Sequence, residues 1–331
     1  MVTEDWLVER KIDFSRERQM LCEECEHRWM VDLDWIDRWN HGGETCPGCG
    51  TNCERERSAR VTVDLTDAAL TDEAVGSLHW YHTSTQQDWP TKAYDTVSEL
   101  TAAVRRLMGG DERVAEWADR QRKRALHVGT YEAAIQNMLR RITDQDDRGR
   151  QFFLYRVHLT PTVVVRTDWL IDPSDFVGDV MLEDVCPSGV DVARYLNYHE
   201  DPGGLSLALG RDAIASVQQV AVPLTGTRHN DWVGRAAETL FAASDAVVAT
   251  NGYLARVVRL PSPRANAGRE LARELTERLP VNLRDQFASA ASFDEGDDPE
   301  QWAMRVAGLF DLIDDPGRVI ATLDRRPHRT I

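Results

Sequence analysis

The sequence predicts an α+β protein in three parts: a metal-stapled ribbon at the N-terminus, a central unit mixing strands with helices, and a mostly helical C-terminal region. Three observations lead there. Two C-x2-C pairs, Cys22-Glu-Glu-Cys25 and Cys46-Pro-Gly-Cys49, stand twenty residues apart near an otherwise cysteine-poor N-terminus. From about Val61 to Pro223, runs rich in β-branched, aromatic or leucine residues alternate with stretches of helical spacing. From about Asn230 onward the spacing is helical for most of the chain. The expected boundaries are 1–60, 61–228 and 229–331.

The cysteine pairs come first. Four thiolates at this spacing suit a tetrahedral Zn2+ site, with each tight turn presenting two sulfurs and the intervening strands bringing the pairs together. Four sulfurs fill the coordination shell, so the ion is expected to be structural. Disulfides are not expected in a chain that opens Met1-Val-Thr-Glu-Asp5, too acidic for an export signal. With no apolar run of membrane-spanning length, the reading is a cytoplasmic protein with no membrane partner. Cys53 and Cys186 are left over; either could be a substitute ligand, Cys53 especially, and a buried or idle thiol is the competing reading. The net charge of -16 disfavours broad nucleic-acid affinity, although a local basic patch could override it.

In the central unit the expected strands are Ser77–His82, Phe152–His158, Thr162–Arg166, Leu205–Leu209 and Val217–Val222. Two apolar stripes at helical spacing, Val97 to Met108 and Ile135 to Ile142, predict core-facing helices, the first stopped by Gly109-Gly110. Another helix is expected over Asp111–Arg124. The C-terminal helices are expected over Asp231–Thr250, Ala265–Leu279 and Pro299–Ile313, the last capped by Asp298 with Pro299 at its first position. Ser292–Asp298 reads as a solvated acidic loop.

Three segments carry candidate chemistry. His79-Trp-Tyr-His82-Thr83-Ser84 closes an aromatic strand. His127-Val-Gly129-Thr130-Tyr131-Glu132-Ala133-Ala134 is a short strand breaking into a helix. Tyr195-Leu-Asn197-Tyr-His-Glu200 leads toward the strand at Leu205. In this order they resemble the ADP-ribosyltransferase family, in its His–Tyr–Glu branch of bacterial and phage-borne enzymes, over about residues 76–223. The resemblance implies a split, mainly antiparallel sheet and transfer of ADP-ribose from NAD to a macromolecule, protein or nucleic acid, with nicotinamide released. It implies that His82 holds the adenosine-side ribose, that Tyr131 stacks on nicotinamide, and that the Thr83 backbone holds the carboxamide. Glu200 would stabilise the oxocarbenium-like transition state. Ser84, Gly129 and Thr130 complete the implied NAD contacts.

Two positions depart from the family pattern. Thr83 stands where glycine is usual and Glu132 where an aromatic is usual. Gln219 is a rival to Glu200 if the strand alignment slips. Arg124, ending the run Arg122-Lys123-Arg124, is placed to meet the pyrophosphate, with a solvated helix end as the alternative. Trp29 could stack a base beside Arg28 or pack its own ribbon. A catalytically inactive zinc-ribbon adaptor and an NAD glycohydrolase are the competing readings. The G-x-G-x-x-G, G-x-x-x-x-G-K-[ST] and H-E-x-x-H patterns do not occur.

Overall fold

The structure, a computed structural model, describes residues 7–90, 97, 100–145, 147–172, 180–243, 262–294 and 296–331. Among these residues no helix is long and apolar enough to cross a membrane.

The N-terminal ribbon is a three-stranded antiparallel sheet. Strand β1 (Arg18–Cys22) lies between β2 (Arg28–Val31) and β3 (Ala59–Thr62). The two cysteine turns are separated not by strands alone but by β2 followed by helix α1 (Leu33–Asn40). Asp32 starts that helix by accepting from the Trp35 amide at 2.7 Å. Trp29 packs edge-on against Trp35, ring centroids 5.7 Å apart, and Trp35 stacks on Trp39 at 5.4 Å. Trp29 therefore serves its own small core, which centres on Met20, Cys22, Val31, Trp39 and Cys46.

The middle of the chain runs α2 (Asp72–Ser77), β4 (Trp80–Ser84), α3 (Ala102–Leu107), α4 (Asp111–Lys123), β5 (Leu126–Val128), α5 (Tyr131–Asp144), β6 (Phe152–Leu159), β7 (Val165–Ile171), α6 (Leu182–Val185), β8 (Val192–Leu196), β9 (Leu205–Leu209) and β10 (Ile214–Val222). The remainder is α7 (Asn230–Ala242), α8 (Pro263–Thr276), α9 (Val281–Ala290), α10 (Pro299–Asp314), α11 (Pro316–Leu323) and β11 (Arg329–Thr330). One sheet has the order β11-β10-β6-β4, antiparallel throughout; the other is β5-β9-β8-β7, antiparallel except for the parallel pair β7–β8. The two sheets meet edge to edge at a single bridge. There Tyr81 N donates to Gly129 O at 2.8 Å, and Gly129 N donates back to Tyr81 O at 2.9 Å. Beyond this bridge β4 and β5 part.

Several expectations shift. The strand expected from Ser77 begins at Trp80, because Asp72 and Glu73 favour a helical turn through Ser77. The run Val192–Leu196, not foreseen as a strand, is buried at every position, so it lacks the alternation that marks a half-exposed strand. The stripe ending at Met108 does not face the core. Helix α3 has only six residues, none of them buried, and Leu107 is 87% exposed. The stripe Ile135, Met138, Leu139 and Ile142 is buried as expected. Asp298 caps α10 through the Gln301 amide at 2.9 Å. The end of the helix expected over Asp231–Thr250 lies outside the described residues from 244 onward, and α9 and α11 are additional.

The C-terminal helices share a core with the central unit. Tyr131, Ile135, Leu139, Phe152 and Val220 join Leu240, Leu283, Phe287, Trp302 and Phe310 in one apolar cluster, and β11 returns to pair with β10. The described helices α7 to α11 thus cover one face of the strand-bearing unit.

Candidate functional site

Where β4 and β5 diverge, a cavity of about 90 Å³ opens between the two sheets and α5. It brings together three sequence segments distant in the chain: His82 and Thr83 from β4, Gly129 with Ala133 and Asn137 from the β5–α5 junction, and Asn197, Glu200 and Ser206 around the β8–β9 turn. His127 and Tyr195 also line it.

Each side chain is held by its neighbours. His82 stacks on Trp89, centroids 4.1 Å apart and planes within 18°, and its Nδ1 lies 2.9 Å from the His127 carbonyl oxygen. A carbonyl only accepts, so Nδ1 carries the proton and Nε2 keeps a lone pair. Burial, with the positive charge of Arg141 adding, pushes the His82 pKa down to about 3. The ring is a neutral hydrogen-bond acceptor at physiological pH. Thr83 directs its hydroxyl to Ala134 O at 3.0 Å. Its peptide faces the split, because Tyr81, two residues earlier, bonds Gly129 across that gap and alternate peptides of a strand point the same way.

Glu200 sits on a turn that Asn197 shapes. Asn197 Oδ1 accepts from the amides of His199 at 3.0 Å and Glu200 at 2.8 Å, while its Nδ2 donates to Ser206 Oγ at 3.2 Å. Glu200 Oε1 then accepts from Asn137 Nδ2 at 3.1 Å and from Arg140 Nη2. Oε2 has no donor among the described residues. Tyr195 lies against the His127 ring, its hydroxyl 3.1 Å from His127 Nδ1. Burial raises the tyrosine pKa and lowers that of the imidazole, so both are neutral.

Gly129 is needed for close approach. A Cβ there would lie 2.8 Å from Ser206 Oγ and 3.0 Å from Ala133 Cβ, so any side chain would drive β9 and α5 apart.

Four residues expected to touch NAD are placed elsewhere. Tyr131 does not reach the cavity. Its ring is 2% exposed against Phe14 and Tyr81, and its hydroxyl donates to Leu312 O at 2.9 Å. The helical period explains this: Tyr131 falls on the stripe of Ile135, Met138 and Ile142 facing the C-terminal helices, while Ala133, Ala134 and Asn137 face the cavity. Thr130 caps α5 through the Ala133 amide at 2.9 Å and donates to Asp201 Oδ2 at 2.7 Å. Ser84 is buried and accepts from the Gln86 amide at 3.1 Å. Arg124 makes a bridge to Met181, and neither it nor Arg122 and Lys123, which pair with Asp119, lines the cavity. Arg140 is the basic group that reaches Glu200 instead. Gln219, on β10, also lies outside the cavity lining.

The sequence carried a signal for the missed residues. Asn137 and Arg140 are spaced i, i+3 on the polar flank of the α5 stripe, as expected of a pair reaching one point. His127, Tyr195 and Asn197 stand inside the quoted segments, but nothing in them shows which member faces the gap.

A second site is the cysteine cluster. The sulfurs of Cys22, Cys25, Cys46 and Cys49 all lie within 4.8 Å of one another, with Cys22–Cys49 and Cys25–Cys46 at 3.7 Å. None of the four is paired in a disulfide. The two turns repeat one pattern: Glu26 N donates to Cys22 O, and Gly50 N to Cys46 O, each at 2.8 Å. Such a set could hold a metal ion. Cys53 stands outside it and packs beside the ribbon core, and Cys186 is buried near Ala208 O.

No protein-family profile, curated protein or solved structure matches this chain.

Proposed function

We propose that this chain is a mono-ADP-ribosyltransferase that takes ADP-ribose from NAD to a macromolecular acceptor, with a structural Zn2+ in its N-terminal ribbon. One observation carries the reading: His82 and Thr83 from β4, Gly129 from the β5–α5 junction and Glu200 from the β8–β9 turn, three separate segments, line one cavity at the parting of two sheets. The acceptor Nε2 of His82 suits a sugar hydroxyl, and the Thr83 peptide suits a carboxamide. Oε2 of Glu200 is the carboxylate oxygen left for a ribose hydroxyl and for the positive charge that develops on the sugar. The nicotinamide–ribose bond breaks with its electron pair passing to the ring nitrogen, which discharges the pyridinium. The acceptor bonds to the sugar carbon and releases its proton to Glu200 or water. The cavity is smaller than the roughly 300–1,000 Å³ typical of ligand pockets, so one ring enters and the rest of NAD lies across the mouth. For the metal, a Zn–S length of about 2.3 Å places tetrahedral sulfurs about 3.8 Å apart, which the two 3.7 Å pairs match.

The burial of Tyr131 favours a second reading, an adaptor that keeps the fold without the chemistry. Nicotinamide release from NAD by the purified chain separates the two. Glu200→Gln and His82→Ala are expected to lower the rate about 100-fold or more while the folded state is retained. A wild-type chain that releases no nicotinamide overturns the enzymatic reading. Label from NAD retained on macromolecules excludes the glycohydrolase.

A further inference from the structure

The turn that carries Glu200 rests on the cysteine-bearing sheet. We infer that the ribbon positions this carboxylate, so that metal binding and the geometry of the cavity are coupled. The coupling is a property of the joint; its catalytic consequence rests on the reading of Glu200 given above.

The joint is built around Asp201, the residue after Glu200. Asp201 is fully buried and has a φ of 60°, a left-handed conformation that a non-glycine residue holds only when its surroundings impose it. Its Oδ1 accepts from Arg18 Nη2 at 3.0 Å and Arg16 Nη1 at 2.5 Å. Arg18, 1% exposed in its side chain, opens β1, the strand that ends at Cys22. The other oxygen, Oδ2, accepts from Thr130, whose hydroxyl caps α5. From that same helix Asn137 and Arg140 reach Glu200. One carboxylate therefore ties the ribbon, the Glu200 turn and the start of α5 together.

A backbone contact is independent of these charges. Gly203 has a φ of +85°, and a Cβ there would lie 2.9 Å from Val61 Cγ1 and 3.2 Å from Thr62 O on β3. The turn thus lies directly against the ribbon sheet. Beside it, Tyr198 and Pro202 face Met20, Trp39 and Val61 across a cavity of about 320 Å³. With that gap unfilled by side chains, the polar joint and the Gly203 contact hold the turn in place.

Hydrogen–deuterium exchange on the full chain tests this. Stripping the metal with 1,10-phenanthroline is expected to raise exchange about tenfold in residues 197–206, together with the ribbon, while α8 and α10 keep their protection. Arg18→Met, with its metal content unchanged, is expected to raise exchange at 197–206 but not at the cysteine turns, and Arg18→Lys to restore part of the protection. If Arg18→Met does not fold, Asp201→Asn takes its place. Unchanged exchange at 197–206 after metal removal, or a uniform rise over the chain, overturns the inference. A positive exchange result with no nicotinamide release from the metal-loaded protein refutes the transferase reading alone.

Discussion

His82 and His158 are both held as neutral imidazoles, and this makes the stability of the fold depend on pH above the range where most carboxylates titrate. Burial is the main cause for each, pushing both pKa values down to about 3; Arg141 adds to it at His82, and His79 and His328 at His158. The ordinary value is 6.5. Because the folded value is the lower one, the unfolded chain binds protons between these limits that the folded chain does not. The stabilisation is complete above about pH 6.5 and is lost as the pH falls toward about 3. At pH 5 each imidazole costs RT ln(1 + 10^1.5), about 2 kcal/mol, or about 4 kcal/mol for the pair. That is a large share of the roughly 5–15 kcal/mol by which a domain is stable. Urea unfolding followed by tryptophan fluorescence at pH 7.5, 6 and 5 measures it. His158→Gln should remove about 2 kcal/mol of the loss between pH 7.5 and 5, whatever it does to stability at pH 7.5. Acid would also release any metal held by the four cysteines, but that contribution is common to variant and wild type and cancels in the comparison. A His158→Gln variant with the pH slope of the wild type would refute the reasoning.

Further outcomes follow from the packing and the cysteine cluster. Tyr131→Phe removes the bond to Leu312 O and should cost about 1–2 kcal/mol in chemical denaturation, with nicotinamide release unchanged; a loss of activity without a loss of stability would return Tyr131 to the site. Leu139→Ala empties a fully buried position facing the C-terminal helices and should cost about 2–5 kcal/mol, since α5 cannot move inward without breaking its cap. Elemental analysis should find one zinc per wild-type chain and a loss of that ion in Cys46→Ser; zinc retained in full by the variant would remove Cys46 from the ligand set.

Part of the candidate sites was legible in the chain, for reasons that differ by residue. The cysteine pairs could be read because each sits on one tight turn whose spacing is local, and the four sulfurs do converge. The α5 stripe could be read because a helix repeats its buried face every three to four residues. Tyr131 was misplaced for the same reason: it falls in phase with that stripe, and its phase outweighed its place beside Gly129. Strand β8 escaped because a strand buried on both faces has no alternation.

Local sequence therefore determined the two cysteine turns, the capped α10, the break at Gly129 and the alternation of strand and helix, since each depends on residues within a turn or two of one another. The tertiary structure alone decided that β4 and β5 meet at one bridge and then part, and that Glu200 is gripped from α5. It also decided that Asp201 is anchored on a ribbon arginine 183 residues away in the chain. Those contacts close long loops, and no periodicity or spacing within a segment records which distant partner will satisfy a buried charge.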